Sequence, residues 1–235
     1  MMVNTRLKKL DALAGFPVCL RRTEIAQILG LIGFGFWGVV QPAAAHHAME
    51  GRTPASFLEG FLSGVAHPVI GLDHLAFVVA IGLLSVKQVR GALLPLVFVV
   101  TAMVGTGLHI MKVDLPVPEI MIALSVIALG LLLAIACPWN FGVVAGLAAI
   151  AGLFHGYAYG ESIVGAEMTP LVAYLLGFTV IQLAISLLAF WLGRKATQSS
   201  SRMIPAFMRY FGYGVCVIGV VFSEHLASRL GTKIK

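Results

Sequence analysis

Two imidazoles and a carboxylate lie within one short stretch of this chain, His67-Pro68-Val69-Ile70-Gly71-Leu72-Asp73-His74. The stretch heads a long apolar run, where ionisable groups are costly and usually face a bundle interior, a water-filled path or one another. Imidazole with carboxylate suits nickel, cobalt, zinc, copper or iron, whereas magnesium and calcium prefer shells of oxygen. We therefore predict that His67, Asp73 and His74 bind a transition-metal ion or move protons.

The spacing of these three residues leaves their roles open. In one continuous helix, His67 and His74 would share a face and Asp73 would point about 100° away. A helix break at Pro68 and the flexibility of Gly71 relax that geometry. All three side chains could then contact one ion. Alternatively, Asp73 could orient a ligating histidine without contacting the ion itself.

A second polar group follows at His155-Gly156-Tyr157-Ala158-Tyr159-Gly160-Glu161. His155 and Glu161 are candidate ligands, although tyrosines at a helix end also fit an interfacial aromatic belt. Glu119 is either a ligand or a favourable acid in the first turn of a helix. Gln182 and Ser186, in a later apolar run, are expected to form hydrogen bonds between helices.

Residues 1–45 have the layout of a secretory signal peptide, with a basic region, an apolar core and an Ala-x-Ala site. Cleavage after Ala45 is expected, an uncleaved anchor is the alternative, and both place residue 46 outside the cell membrane. Cleavage would make His46 and His47 a new terminus that could chelate metal through the α-amine and imidazole. The alternative is a solvated histidine pair.

The composition predicts an all-α integral membrane protein, since 59% of the residues are hydrophobic and 11% are charged. Residues 46–235 are expected to form a single helical bundle in contact with the lipid bilayer. A short helix at 54–66 and a kink near His67 are predicted to precede about six spans, each near 20 residues: 69–86, 91–111, 117–137, 141–159, 170–192 and 207–228.

Loops 87–90 and 193–206 carry cations, which predicts that they are cytoplasmic and that both mature termini lie outside. We expect a multi-pass protein of a bacterial-type cytoplasmic membrane. The net charge of +6 follows from this orientation better than from binding to nucleic acid. The candidate ligands then fall in the outer half of the bundle, so the site would be loaded from outside.

Motifs for other chemistry are missing from the sequence. It has no nucleophile elbow, Walker loop or His-Glu-x-x-His, and its three cysteines have no paired spacing. We expect neither an enzyme nor a prosthetic group, and any transport would be secondary or facilitated. A non-transporting metal-binding or assembly protein and a haem-linked redox enzyme are the alternatives, and association of identical chains is left open.

Taken together, these motifs resemble those of the HupE/UreJ family of nickel and cobalt permeases. The first motif, His67-Pro68-x-x-Gly71-x-Asp73-His74, is specific. Supporting matches cover about residues 46–192 at Leu94-Pro95, Pro118-Glu119, Ser125-Val126, Phe154-His155-Gly156-x-Ala158 and Gly177-Phe178. The resemblance implies about six spans and uptake of Ni²⁺ or Co²⁺ for metalloenzymes such as hydrogenase and urease, or for corrin synthesis.

The chain departs from the family pattern in its second motif. That motif typically reads His-Gly-x-Ala-His-Gly with a glutamate two residues on, whereas this chain has Tyr159 and then Glu161 directly after the glycine. A phenol is a poorer ligand for nickel at neutral pH. The substitution therefore bears on which metal is preferred.

Overall fold

The computed structural model describes residues 52–135, 139–198 and 203–233. All regular elements within these ranges are helical, which confirms the all-α class. The α-helices are α1 Phe57–Ile70, α2 Leu72–Ser85, α3 Leu93–Ile110, α4 Pro118–Ala134, α5 Phe141–Gly160, α6 Met168–Gln198 and α7 Met203–Lys233, with a 3₁₀ turn at Glu161–Ile163. The predicted signal peptide, His46 and His47 lie outside the described residues.

Four of these helices, α3, α5, α6 and α7, are long and apolar enough to cross a membrane. The pair α1 and α2 meets the same criterion jointly, and α4 is a shorter apolar helix of 17 residues. The chain is therefore a multi-pass membrane protein with four or five such spans among the described residues. The count of six stays a prediction.

The break in the first span lies at Gly71, where α1 and α2 meet at 81°. The predicted break near His67 is wrong in position, because α1 runs through Pro68 and ends at Ile70. Pro68 has no N–H to donate to the Gly64 carbonyl, yet the helix continues through it for two more residues. At its other end, α1 is capped by Ser56, whose Oγ accepts from the Glu59 backbone N–H.

Helix α1 packs directly against the backbone of α6. A Cβ atom at Gly60 would overlap the Pro170 carbonyl oxygen, and one at Gly64 would overlap that of Tyr174. The absence of a side chain at these two positions allows the backbone of α6 to approach. The residue contacted on α6 moves from Pro170 to Tyr174 as the glycine on α1 moves from Gly60 to Gly64. The two helices therefore run in the same direction.

Helix α2 follows α6 further along, since a Cβ atom at Gly82 would overlap the Ser186 carbonyl oxygen. Along the bent pair, the contacts therefore move from the amino-terminal end of α6 to its carboxyl-terminal half, as they would for one broken span. A re-entrant loop would return to the side on which it began. Helix α6 is also longer than predicted, because it continues to Gln198 where a loop was expected from 193.

Two further helix pairs complete the bundle. Helices α3 and α5 run in parallel, with Gly152 beside Phe98 and Gly160 beside His109. Helices α4 and α7 run antiparallel, with Gly130 beside Cys216 and Gly219 beside Ile127. The apolar core lies between α2, α3, α4 and α5 and includes Phe77, Ile81, Phe98, Leu129 and Val144.

Candidate functional site

Side chains from three separate parts of the chain meet near the break between α1 and α2. His67 comes from the last turn of α1, and Asp73 and His74 from the first turn of α2. His155 and Tyr159 project from adjacent turns of α5, and both are fully buried. We call these five residues the histidine cluster.

His74 and His155 form the centre of the cluster. Their Nδ1 atoms are 2.9 Å apart, which is hydrogen-bond distance, although the residues are 81 positions apart in the chain. The other nitrogen of His155, Nε2, lies 3.0 Å from the Ser125 hydroxyl on α4. One consistent proton arrangement has His74 donating to His155 and His155 donating to Ser125, whose hydroxyl donates to the Ile122 carbonyl.

Asp73 stands on the outer side of His74. Its Oδ2 is 3.9 Å from His74 Nε2, which is longer than a hydrogen bond. The side chains of the two residues are 14% and 12% exposed, so this edge of the cluster reaches the surface, while His155 does not. His74 therefore presents one nitrogen to Asp73 near the surface and the other to a buried histidine.

His67 is held from the other side by hydroxyl groups. The Ser162 Oγ, in the turn after α5, lies 2.9 Å from His67 Nδ1. It also contacts the Tyr174 hydroxyl of α6 at 3.1 Å, and that hydroxyl donates to the Tyr159 carbonyl. This network fixes His67 against the end of α5.

Tyr159 lies among all three imidazoles. Its ring centroid is 4.7 Å from that of His74, 5.1 Å from that of His67 and 6.4 Å from that of His155. Its hydroxyl oxygen is buried and, within the part of the chain that the structure describes, has no hydrogen-bond partner. A buried hydroxyl without a partner costs free energy unless a ligand or a water molecule forms a hydrogen bond with it.

Helix α5 is held in register with α3 by a bond close to the cluster. The Thr106 hydroxyl donates to the Gly156 carbonyl at 2.8 Å, and a Cβ atom at Gly156 would overlap the Ala102 carbonyl oxygen. The glycine after His155 is therefore needed for close packing. Phe77 and Phe98 cover His155, with ring centroids at 4.3 and 6.0 Å.

Two predicted ligands lie outside the cluster. Glu119 is exposed in the first turn of α4, and Glu161 is exposed in the turn after α5. His109 is also separate, because its ring packs on Tyr157 with centroids 4.4 Å apart. Within residues 52–135, 139–198 and 203–233, no three side chains of histidine, cysteine, aspartate or glutamate are grouped so that they could hold one metal ion.

Three hydroxyl residues of the site were not predicted from the sequence. Ser125 had no visible partner nearby in the chain, and Ser162 and Tyr174 gave no signal of their own. Ser162 directly follows Glu161 of the second motif, which is the one local hint that could have found it.

Comparison with known proteins agrees with this arrangement of motifs. Residues 34–222 match the model of the family described as HupE / UreJ protein. The chain belongs to the HupE / UreJ family. A curated relative, Protein HupE of Rhizobium leguminosarum bv. viciae, is 34% identical over 138 residues, which cover 57% of this chain and 70% of the relative. No solved structure matches the chain.

The HupE / UreJ match contains every member of the histidine cluster, as well as Ser125, Ser162 and Tyr174. The site and the family match therefore fall in the same region of the chain.

Proposed function

We propose that this protein is a permease that takes up nickel or cobalt ions across the cytoplasmic membrane by secondary or facilitated transport. His67, Asp73, His74 and His155 are the proposed ligands, and six spans with an extracytoplasmic mature amino terminus are the proposed topology. The family is associated with nickel or cobalt uptake or with maturation of hydrogenase and urease. On this proposal the ion is the substrate, and the protein is not an enzyme.

The observation that carries the proposal is the pair of Nδ1 atoms of His74 and His155, 2.9 Å apart. Two ligands at right angles on an ion, with metal–nitrogen bonds of about 2.1 Å, are separated by about 3.0 Å. An ion could therefore take the place of the proton between these rings if each nitrogen lone pair turned by about 45° from the N–N line. Proton loss on metal binding would follow.

The two nitrogens of His74 give the proposed ion a route inward. An ion bound at about 2.1 Å to both Asp73 Oδ2 and His74 Nε2 would draw these atoms, which are 3.9 Å apart, to about 3.0–3.4 Å. From this partly exposed position it would pass around the His74 ring to the buried position beside His155. The proposed ligands are close to one another in pairs, so an ion that moves from one pair to the next fits them better than an ion held by all four at once.

Charge at the two ends of the bundle supports the proposed orientation. The end of α2 contacts α6 at Gly193, so the cations of loop 87–90 lie at the same end as Arg194 and Lys195. The loops at the other end carry Asp114, Glu119, Glu161 and Glu167 against one cation, Lys112. We assign these exposed carboxylates, together with His46 and His47, to the attraction of cations before they reach the cluster.

The first test is cellular accumulation of nickel and cobalt by a His74→Ala variant. Loss of both inner and outer positions should abolish accumulation, while His109→Ala, which removes an imidazole outside the cluster, should leave it normal. Both variants must be present in the membrane at the level of the original protein. Normal accumulation by His74→Ala at that level would refute the assignment.

Purified protein in liposomes separates transport from simple binding. Influx of Ni²⁺ into liposomes that contain the protein, above the rate in empty liposomes, is the expected result. Binding of Ni²⁺ without influx would instead support a metal-binding or assembly protein that hands the ion to a partner.

A further inference from the structure

Gln182, in the middle of α6, is a buried amide that the histidine cluster does not use. Its side chain is 0% exposed, and its Nε2 donates to the Phe178 carbonyl at 3.3 Å. Only the nitrogen of the amide can donate, so this bond fixes which end is the oxygen. The oxygen, Oε1, is buried and has no hydrogen-bond partner within the described chain.

The hydrogen bonds of Gln182 and Ser186 contradict the prediction that these residues bond between helices. Both side chains bond to the backbone of their own helix, since the Ser186 hydroxyl donates to the Gln182 carbonyl at 2.6 Å. Bonding of Ser186 is thereby complete, whereas Gln182 keeps an unused acceptor. The hydroxyl of Thr179, three positions earlier, is likewise buried without a partner in the described residues.

Gln182 Oε1 lies further toward the carboxyl-terminal end of α6 than the histidine cluster does. Tyr174, Phe178 and Gln182 follow at steps of four residues, so they share one face of α6. Tyr174 bonds within the network around His67, and the Phe178 ring packs on Tyr159 with centroids 4.9 Å apart. Phe178 thus separates the cluster from Gln182, which lies about 12 Å along the helix axis from Tyr174.

An unpaired amide oxygen in a membrane interior is costly, because no lipid group can donate to it. Its free energy would be lowered by a cation. Thr179 is its neighbour on α6, since residues three apart are adjacent on a helix, and the Thr179 hydroxyl is a second buried oxygen that could bind the same ion. Neutral oxygen donors bind nickel and cobalt more weakly than imidazole nitrogens do. A weakly held ion leaves such a position readily, as passage through a membrane requires.

We propose that Gln182 Oε1 and the Thr179 hydroxyl form a second, weaker binding position for the transported cation, beyond Phe178 on the way to the cytoplasm. This inference rests on the proposed transport function. It assigns to the buried amide a role in passage of the ion and not in its capture.

The test compares Ni²⁺ influx into liposomes with Ni²⁺ affinity of the detergent-purified protein for a Gln182→Leu variant. Losing one buried ligand should lower the initial influx rate by about tenfold. The affinity measured by titration should not change, because the histidine cluster is intact. Thermal stability should be equal or higher, since leucine removes an unpaired polar group from an apolar site.

Ser186→Ala is the matched control, because its hydroxyl lies one turn further along the same face and has its bonds completed by the helix. Its influx should equal that of the original protein. Gln182→Ala replaces the leucine variant if the latter does not reach the membrane.

Normal influx by a well-folded Gln182 variant would overturn the inference, and so would a loss of affinity equal to the loss of influx. Absence of Ni²⁺ influx with the original protein is a different result, because it refutes the proposed transport function itself.

Discussion

At the scale of single residues, the site depends on which of its buried polar atoms have hydrogen-bond partners. His155 uses both ring nitrogens, and Tyr174 uses its hydroxyl twice. Tyr159 is different, since its hydroxyl is buried among three imidazoles and unpaired within the described chain. On the proposed transport function, a water carried by an incoming ion would supply the missing partner.

Tyr159→Phe should weaken Ni²⁺ binding without destabilising the protein. Loss of one hydrogen bond to a metal-bound water should raise the dissociation constant by about threefold to tenfold. The melting temperature should stay the same or rise, because an unpaired hydroxyl is removed from a buried position. Titration calorimetry and thermal unfolding in detergent measure the two effects.

Tyr157→Phe is the control for this prediction, since Tyr157 packs on His109 away from the cluster. Equal dissociation constants for Tyr159→Phe and the original protein would show that the hydroxyl takes no part in binding.

The sequence was sufficient to locate the imidazoles and carboxylate of the cluster, and the structure brings His67, Asp73, His74 and His155 together. Ionisable residues in an apolar run are rare, so each one is a visible signal. Ser125, Ser162 and Tyr174 were missed because hydroxyl residues are common in membrane helices and their partners lie on other helices. Glu119 and Glu161 were candidate ligands from their residue type and their places in the motifs, and the structure leaves both exposed.

At the scale of elements, the break between α1 and α2 sets the position of His74. Gly71 has an extended backbone that any residue can adopt, with φ −73° and ψ 107°. Space is the reason for glycine here, because a Cβ atom would lie 2.7 Å from Cδ2 of the His74 ring. The sequence pointed to the proline as the breaking residue, and it could not reveal that the bend follows the packing of both helices on α6.

Gly71→Ala should therefore impair metal binding more than stability. The added methyl group meets the ring of His74 and, at 3.2 Å, the Asp73 Oδ1 atom. Both are movable side chains, which can rotate away at small cost in folding free energy. That rotation would separate the Nδ1 atoms of His74 and His155, so Ni²⁺ affinity should fall. An unchanged affinity, measured on protein with an unchanged melting temperature, would show that the ring has room.

The glycines between α1 and α6 lead to a prediction about stability. Gly64→Ala forces a methyl group into the Tyr174 carbonyl oxygen, which neither backbone can avoid without moving. Overpacking of this kind costs about 1–3 kcal/mol. Thermal unfolding in detergent should show a lower melting temperature for this variant.

The matched control is Gly146→Ala on α5, where nothing lies within 4 Å of the added atom. That variant should be neutral or stabilised by about 0.5–1 kcal/mol, because alanine favours the helix. Equal melting temperatures for the two variants would contradict the close packing of α1 on α6.

At the scale of the whole molecule, function depends on which end of the bundle faces outward. Helix α3 is an apolar helix of 18 residues, so the loops on its two sides should face opposite sides of the membrane. The loop before α3 belongs to the cationic end, and the loop after it, with Asp114, belongs to the acidic end. The positive-inside rule then predicts that Asp114 lies outside.

Cysteine labelling with a reagent that does not cross membranes tests this orientation. In a background without the native cysteines, Asp114→Cys and Glu167→Cys should react in intact spheroplasts, because both sites are exposed and follow helices that the rule predicts to run outward. Val89→Cys, in the cationic loop, should react only after the membrane is permeabilised. The reverse pattern would place Asp73 and His74 nearer the cytoplasm, so that the same chain of contacts would load metal from inside and export it. Labelling of all three sites from one side would instead mean that α3 does not cross the membrane.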